Sequence, residues 1–166
     1  MFLALGALAA GCATVELAPD EAYVLSQLGY SKGFLLRGII LRNADTDEEV
    51  LLEPGRVIVK RVPPGRYYMR RIESRFDNLA TSPSGPPAAL IPVEAGKVNY
   101  IGSWAVILTE ERQSRLYYSI AHDYPASVIA EARTGRGREA LSRYELVIAR
   151  PEFDLGVPPV AAPAPE

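Results

Sequence analysis

Short apolar runs separated by turn-forming residues fill the chain from about residue 21 to residue 150. Runs of about five to ten residues bounded by Gly, Pro, Asn and Asp are typical of strands in sandwiches and barrels. The pattern predicts strands over residues 23–27, 33–42, 50–52, 57–62, 67–76, 97–108, 116–122 and 144–150. We therefore expect a mainly β fold, an antiparallel β-sandwich of about 7–9 strands.

Two of these runs carry the clearest information about burial. Residues 33–42 are apolar on both alternating faces, which indicates a central strand covered on both sides. In residues 97–108 the alternate positions are free of charge, which predicts one core face formed by Val98, Tyr100, Gly102, Trp104, Val106 and Leu108.

The connections between the predicted strands also have local signals. The sequence VPPGR at residues 62–66 suits a type II turn, because Pro64 fixes φ and Gly65 supplies a positive φ, and we expect a hairpin to close there. The sequence DNLATSPSGPP at residues 77–87 predicts a long loop without regular structure.

The C-terminal part changes to a helical pattern. Residues 124–133 predict one short helix, with Pro125 in its first turn and Gly135 at its end. Residues 135–140, GRGREA, match the dinucleotide pattern G-x-G-x-x-A, but that pattern needs a preceding strand. Here a helix precedes it, so we interpret it as a helix end and linker. We expect the domain to span residues 21–153 and the Pro/Ala-rich residues 154–166 to be disordered.

Composition narrows the classes of function. A hydrophobic content of 48% with 23% charged residues is typical of a globular protein, and a net charge of −2 without a basic block argues against nucleic-acid binding. One cysteine cannot form an internal disulfide. One cysteine and one histidine do not supply the usual zinc ligands, so we expect no metal and no cofactor.

The N-terminal run LALGALAAGC joins an apolar stretch to small residues and the single cysteine, Cys12. An apolar centre followed by small residues is typical of a secretory signal. The residues Leu8, Ala9, Ala10, Gly11 and Cys12 resemble the lipobox of bacterial lipoproteins.

The lipobox resemblance implies that residues 1–11 are a signal peptide recognised by the signal peptidase at Leu8, Ala9, Ala10 and Gly11. It implies lipidation of Cys12, attachment to a lipid bilayer through the acylated cysteine, and location in the bacterial cell envelope. Ala13 is not the aspartate that often retains such proteins at an inner membrane, which favours the outer membrane. Residues 12–20 would form a tether that stays unpacked.

Other interpretations of the run remain open. It could form a buried helix of the domain, or an anchor that is not cleaved. A secretory signal usually begins with basic residues, and none precedes the apolar run, which suggests that translation starts upstream of Met1.

Two further segments, VPPGRYYMRRI and VEAGKVNYIGSW, resemble a pattern in small bacterial envelope lipoproteins. The resemblance implies a β-sandwich similar to transthyretin-like or immunoglobulin-like modules. It implies no reaction.

Candidate chemistry is sparse. His122, the only histidine, lies beside Asp123, and with a distant serine the pair suggests a secreted envelope hydrolase, although no nucleophile-elbow motif is present. A long loop at residues 77–87 suggests instead a ligand-binding receptor. A basic set surrounds the predicted hairpin: Lys60, Arg61, Arg66, Arg70, Arg71 and Arg75.

From the basic set, Arg66, Arg70 and Arg71 are candidates for contact with an anionic partner, such as an acidic glycan, lipid headgroups or the carboxylates of an envelope protein. An ordinary solvated strand face is the favoured interpretation of the same residues. The leading hypothesis is a membrane-anchored envelope lipoprotein with a non-enzymatic structural or protein-binding role.

Overall fold

The fold is described by a computed structural model for residues 16–30, 36–74, 89–109, 115–121 and 126–152. Within these segments the chain forms nine strands and two helices. Their bounds are β1 Ala22–Tyr30, β2 Leu36–Asn43, β3 Glu49–Leu52, β4 Gly55–Val62, β5 Gly65–Ser74, β6 Ile91–Val93, β7 Val98–Thr109, β8 Arg115–Ala121, α1 Ala126–Thr134, α2 Arg138–Arg143 and β9 Leu146–Ile148.

The strands form two sheets, which confirms the predicted mainly β, sandwich-like fold. One sheet has the order β4-β1-β7-β8, with β9 also paired to β7, and the other has the order β3-β2-β5-β6. The four-stranded sheet is antiparallel. The five-stranded sheet is mixed, since β7 runs parallel to both β1 and β9, a feature that the sequence analysis did not predict.

The apolar side chains form two clusters, one on each face of the five-stranded sheet. The first lies between the sheets and includes Leu41, Ile72 and Trp104. The second lies under the helices, where Ile129 of α1 packs with Leu25 of β1. The five-stranded sheet is therefore the middle layer of three, with the four-stranded sheet on one side and the helix pair on the other.

The helix predicted over residues 124–133 corresponds to α1, which ends at Thr134, just before Gly135. A second short helix, α2, occupies part of the segment that we interpreted as a linker. Neither helix, nor any other in the described segments, is long and apolar enough to cross a membrane.

A bulge in β7 divides its predicted core face into two. Leu25 of β1 pairs with Tyr100, whereas Gln27 pairs with Ser103, so β7 contains one extra residue near Gly102, whose φ is 101°. As a result Val98 and Tyr100 belong to the cluster under the helices, while Trp104 and Val106 belong to the cluster between the sheets. Both faces are covered, which explains why neither carries a charge.

The predicted hairpin at residues 62–66 is wrong. β4 pairs with β1, whereas β5 pairs with β2 and β6, so the turn carries the chain from one sheet to the other. Gly65 has the expected positive φ, but its value of 143° is far from the roughly 80° of a type II turn, and Gly65 is already the first residue of β5. A Cβ atom there would lie 2.6 Å from Asn43 Nδ2, so the close approach also requires glycine.

Candidate functional site

Asn43 joins the turn after β2 to the connection between the sheets. Its side chain is fully buried. Asn43 Oδ1 accepts hydrogen bonds from the backbone N–H groups of Asp45 at 2.9 Å and Thr46 at 3.3 Å, and Nδ2 donates to the carbonyl of Pro64 at 3.2 Å. Because one side chain satisfies three backbone groups, this end of the sandwich is held in a single arrangement.

Arg66, one of the candidate anion-binding residues, is paired within the protein. Its Nη2 and Nε atoms donate to Asp45 Oδ1 at 2.6 and 3.2 Å, and its backbone N–H donates to Asp45 Oδ2 at 3.0 Å. The side-chain hydrogen bond from Arg66 lowers the pKa of Asp45 below its usual value. An external anion at Arg66 must compete with this carboxylate.

Arg71 is paired in the same way on the outer face of the four-stranded sheet. It lies 2.8 Å from Glu49 Oε2 and 3.0 Å from Glu73 Oε1.

Arg70 differs from its neighbour. Ile40 pairs with Arg71 and Leu41 with Met69, so Arg70 is the extra residue of a bulge.

Arg70 makes no ion pair with another described residue, so of the three arginines it is the one whose charge is available to a partner.

The other basic candidates lie in the five-stranded sheet. Lys60 Nζ donates to the carbonyl of Leu51 in β3 at 2.8 Å. Arg61 forms an ion pair with Glu21 at 3.4 Å and lies over the ring of Tyr23, with 5.7 Å between Cζ and the ring centroid. Because the predicted hairpin does not form, these residues and the arginines of β5 belong to different sheets. Arg75 lies outside the described residues.

The described residues before β1 make hydrogen bonds to the rest of the domain. The backbone N–H of Leu17 donates to Tyr144 Oη at 2.8 Å, and that of Ala18 donates to Glu21 Oε2 at 2.9 Å. Tyr144 in turn contacts Tyr23, with ring centroids 5.8 Å apart. Tyr144 is therefore a docking point for the N-terminal segment.

A basic surface that the sequence analysis missed lies where the two helices meet. Arg133, Arg136 and Arg138 are exposed, and none forms an ion pair with another described residue. Its signal in the sequence is the close spacing of the arginines in ARTGRGREALSR. We call residues 133–138 the arginine corner.

Two hydroxyl contacts lie inside the five-stranded sheet. Ser26 Oγ donates to the carbonyl of Gly102 at 2.8 Å, which satisfies the β7 bulge. Ser103 Oγ and Tyr100 Oη lie 2.9 Å apart. Across the described segments there is no group of three or more His, Cys, Asp and Glu side chains placed to hold a metal ion.

Several predicted sites lie outside the described residues. They are the lipobox residues Leu8, Ala9, Ala10, Gly11 and Cys12, the pair His122 and Asp123, and the loop at residues 77–87. Ala121, which precedes His122, pairs with Ser103 of β7. The hydrolase and receptor hypotheses therefore stay predictions.

Comparisons of the chain with protein-family models, with curated proteins and with solved structures found no match.

Proposed function

We propose that this protein is a lipid-anchored lipoprotein of the bacterial envelope, and that its folded domain has a non-enzymatic structural or protein-binding role. The observation that carries the proposal is the lipobox pattern ending at Cys12, which precedes β1 by only nine intervening residues. The buried hydrophobic residues of the described fold all lie between Ala22 and Ala149.

Acylation of Cys12 would provide membrane attachment without any apolar surface on the domain. Each buried methylene group contributes about 0.8 kcal/mol, so two or three acyl chains hold a protein stably where one chain does not. The domain is suited to such an arrangement, because its described surface exposes only one large hydrophobic side chain, Tyr30. A folded domain of this kind stays in water beside the bilayer.

Arg70 supports the protein-binding role. It lies on the four-stranded sheet, whose other arginines, Arg37, Arg42, Arg66 and Arg71, already bind carboxylates. A carboxylate of an envelope protein, or of an acidic glycan, can pair with Arg70 without breaking an ion pair between described residues. We assign the ion pair with an acidic partner to Arg70.

The anchor is tested by fatty-acid labelling combined with membrane fractionation in a bacterial host. Cys12 is the only cysteine, so Cys12→Ala removes the sole thiol. We expect the wild-type chain to carry the label and to sediment with membranes, and Cys12→Ala to lose both properties. Ala13→Ser is the matched control and should behave as the wild type. Label and membrane location retained by Cys12→Ala would disprove the anchor.

The partner contact is tested by placing a photo-crosslinking residue at position 68 of β5, two residues from Arg70, so that Arg70 itself stays in place. The same crosslinker is used in a chain that carries Arg70→Gln, and Arg56→Gln, at an exposed arginine of β4 in the other sheet, is the matched control. We expect a discrete crosslinked product that is lost with Arg70→Gln and kept with Arg56→Gln. A product that survives Arg70→Gln, or no product from the otherwise unmodified chain, would refute the assignment to Arg70.

A further inference from the structure

The arginine corner holds three exposed arginines that form no ion pair with another described residue. Residues 126–143 contain four arginines and two glutamates, which gives this helical segment a charge of +2 in a chain whose net charge is −2. Glu139 lies 3.6 Å from Arg143 and compensates that arginine. Arg133, Arg136 and Arg138 remain, and the only other carboxylate of the segment is Glu131.

The corner lies close to the point where the N-terminal segment docks. Tyr144, which accepts the hydrogen bond from Leu17, directly follows α2, and the corner is at the other end of the same helix. A helix of six residues is about 9 Å long. Arg143 and Tyr144 also line an open cleft together with Glu16 and Leu17. The N-terminal segment and the helix pair therefore share one side of the molecule.

Docking at Tyr144 shortens the connection to Cys12. An extended chain covers at most about 3.6 Å per residue, so the five steps from Cys12 to Leu17 span no more than about 18 Å. If the chain were free up to β1, the ten steps from Cys12 to Ala22 would span up to about 36 Å. The contact with Leu17 thus halves the distance over which the domain can move from the anchored residue.

We propose that the arginine corner binds the anionic headgroups of the bilayer that holds the acylated Cys12. The proposal rests on the lipid anchor proposed above, which brings the corner to the membrane surface. Guanidinium groups bind phosphate oxygens through paired hydrogen bonds, which lysine does not do as well. The contact gives the tethered domain a fixed side toward the bilayer and leaves the four-stranded sheet, with Arg70, facing away from the helices.

The contact is electrostatic and does not insert into the bilayer. None of the residues in the corner is a large apolar residue, and the exposed large hydrophobic residue of the described surface, Tyr30, is at the far end of β1 from Ala22. Binding should therefore require anionic lipid and decrease with salt, since the screening length falls from about 10 Å at 0.1 M to about 3 Å at 1 M.

The test uses residues 12–166 carrying Cys12→Ala, so that no acyl chain contributes to binding. These residues include the whole described core. Co-sedimentation is measured with vesicles of phosphatidylcholine alone and with vesicles containing about one third phosphatidylglycerol. We expect binding only to the anionic vesicles at 0.1 M salt and its loss at 1 M salt. Failure of Cys12 acylation in cells would leave this result unchanged, so the two proposals fail separately.

Two triple variants locate the contact. In the first, Arg133, Arg136 and Arg138 are replaced by Gln, which should weaken binding to anionic vesicles by on the order of 100-fold, or about five-fold for each arginine. In the second, the same charge is removed elsewhere by replacing Arg37, Arg56 and Lys60, which are exposed on strands, with Gln.

The second variant should bind as the unmodified chain does, and the emission of Trp104 reports that each variant is folded. Equal loss in both variants, equal binding to both kinds of vesicle, or no binding by the unmodified chain would overturn the proposal.

Discussion

Replacement of Asn43 by alanine removes the side chain that joins the turn after β2 to the connection between the sheets. The variant leaves three backbone groups without their partner, namely the N–H groups of Asp45 and Thr46 and the carbonyl of Pro64. Each lost hydrogen bond in such a site costs about 1 kcal/mol. We therefore expect Asn43→Ala to lower the free energy of unfolding by about 3 kcal/mol, a large part of the roughly 5–15 kcal/mol of a typical domain.

Urea denaturation followed by tryptophan fluorescence measures this loss. Trp104 is the only tryptophan and is 2% exposed, so its emission reports the core between the sheets. The midpoint should fall while the slope with urea stays constant. Thr46→Ala is the control in the same turn, because Thr46 is exposed, and it should change stability by less than about 0.5 kcal/mol. A loss below about 1 kcal/mol for Asn43→Ala would refute the assigned role.

Three further substitutions, of Gly65, Asn99 and Asp45, test other contacts that hold turns of the sandwich. Gly65→Ala should destabilise the domain more than Gly96→Ala in urea denaturation, because both have positive φ but only Gly65 lies against another side chain. A smaller effect at Gly65 would contradict the described close approach. Asn99→Ala should lower the urea midpoint much as Asn43→Ala does, since buried Asn99 bonds Glu94 N–H and Glu94 O at 2.9 and 3.0 Å. A shift of the urea midpoint as small as that caused by replacing an exposed residue would argue against this role of Asn99. Because the pKa of Asp45 is lowered, its stabilising contribution is present above about pH 4 and is lost as the pH falls through the folded pKa. Asp45→Asn should therefore flatten the acid limb of a stability–pH profile, and an unchanged limb would show that the pair with Arg66 does not contribute.

Eight of the nine described strands could be predicted, because each is a short apolar run between turn residues, whereas the three-residue strand β6 was not predicted. What alternation could not reveal is which cluster each residue joins. In β7 the uncharged alternate positions suggested one face, yet the bulge at Gly102 sends Tyr100 toward the helices and Trp104 toward the other sheet. When both faces of a sheet are covered, both are apolar, and the period of two no longer distinguishes them.

The turn at Gly65 shows a second feature of the fold that the sequence alone could not predict. Local chemistry fixes the positive φ, but it does not determine whether the next strand pairs with the previous one or crosses to another sheet. That choice depends on distant residues, among them Asn43, which lies 22 positions earlier in the chain and contacts the turn. Of the basic residues grouped on the assumption of a hairpin, the five that the structure describes are therefore divided between two sheets.

The strand arginines and the arginine corner differ in whether their ion-pair partners can be read from the sequence. Arg66 and Arg71 looked available in the sequence, because Asp45 and Glu49, which pair with them, are more than twenty residues away. Only Glu73, the second partner of Arg71, lies close to it in the sequence. The arginine corner was the reverse case: its charges are close in sequence and stay unpaired among the described residues. Ion pairs across strands are long-range features, so single-sequence reasoning overestimates the free charge on strands and overlooks it in short helical turns.

The most direct test of the proposed anchor is the mass of the N-terminal peptide of the protein isolated from a bacterial envelope. We predict a mature chain that begins at Cys12 and carries a diacylglycerol on the thiol, with residues 1–11 absent. An N-terminal peptide that retains residues 1–11, with a free thiol at Cys12, would contradict the proposal.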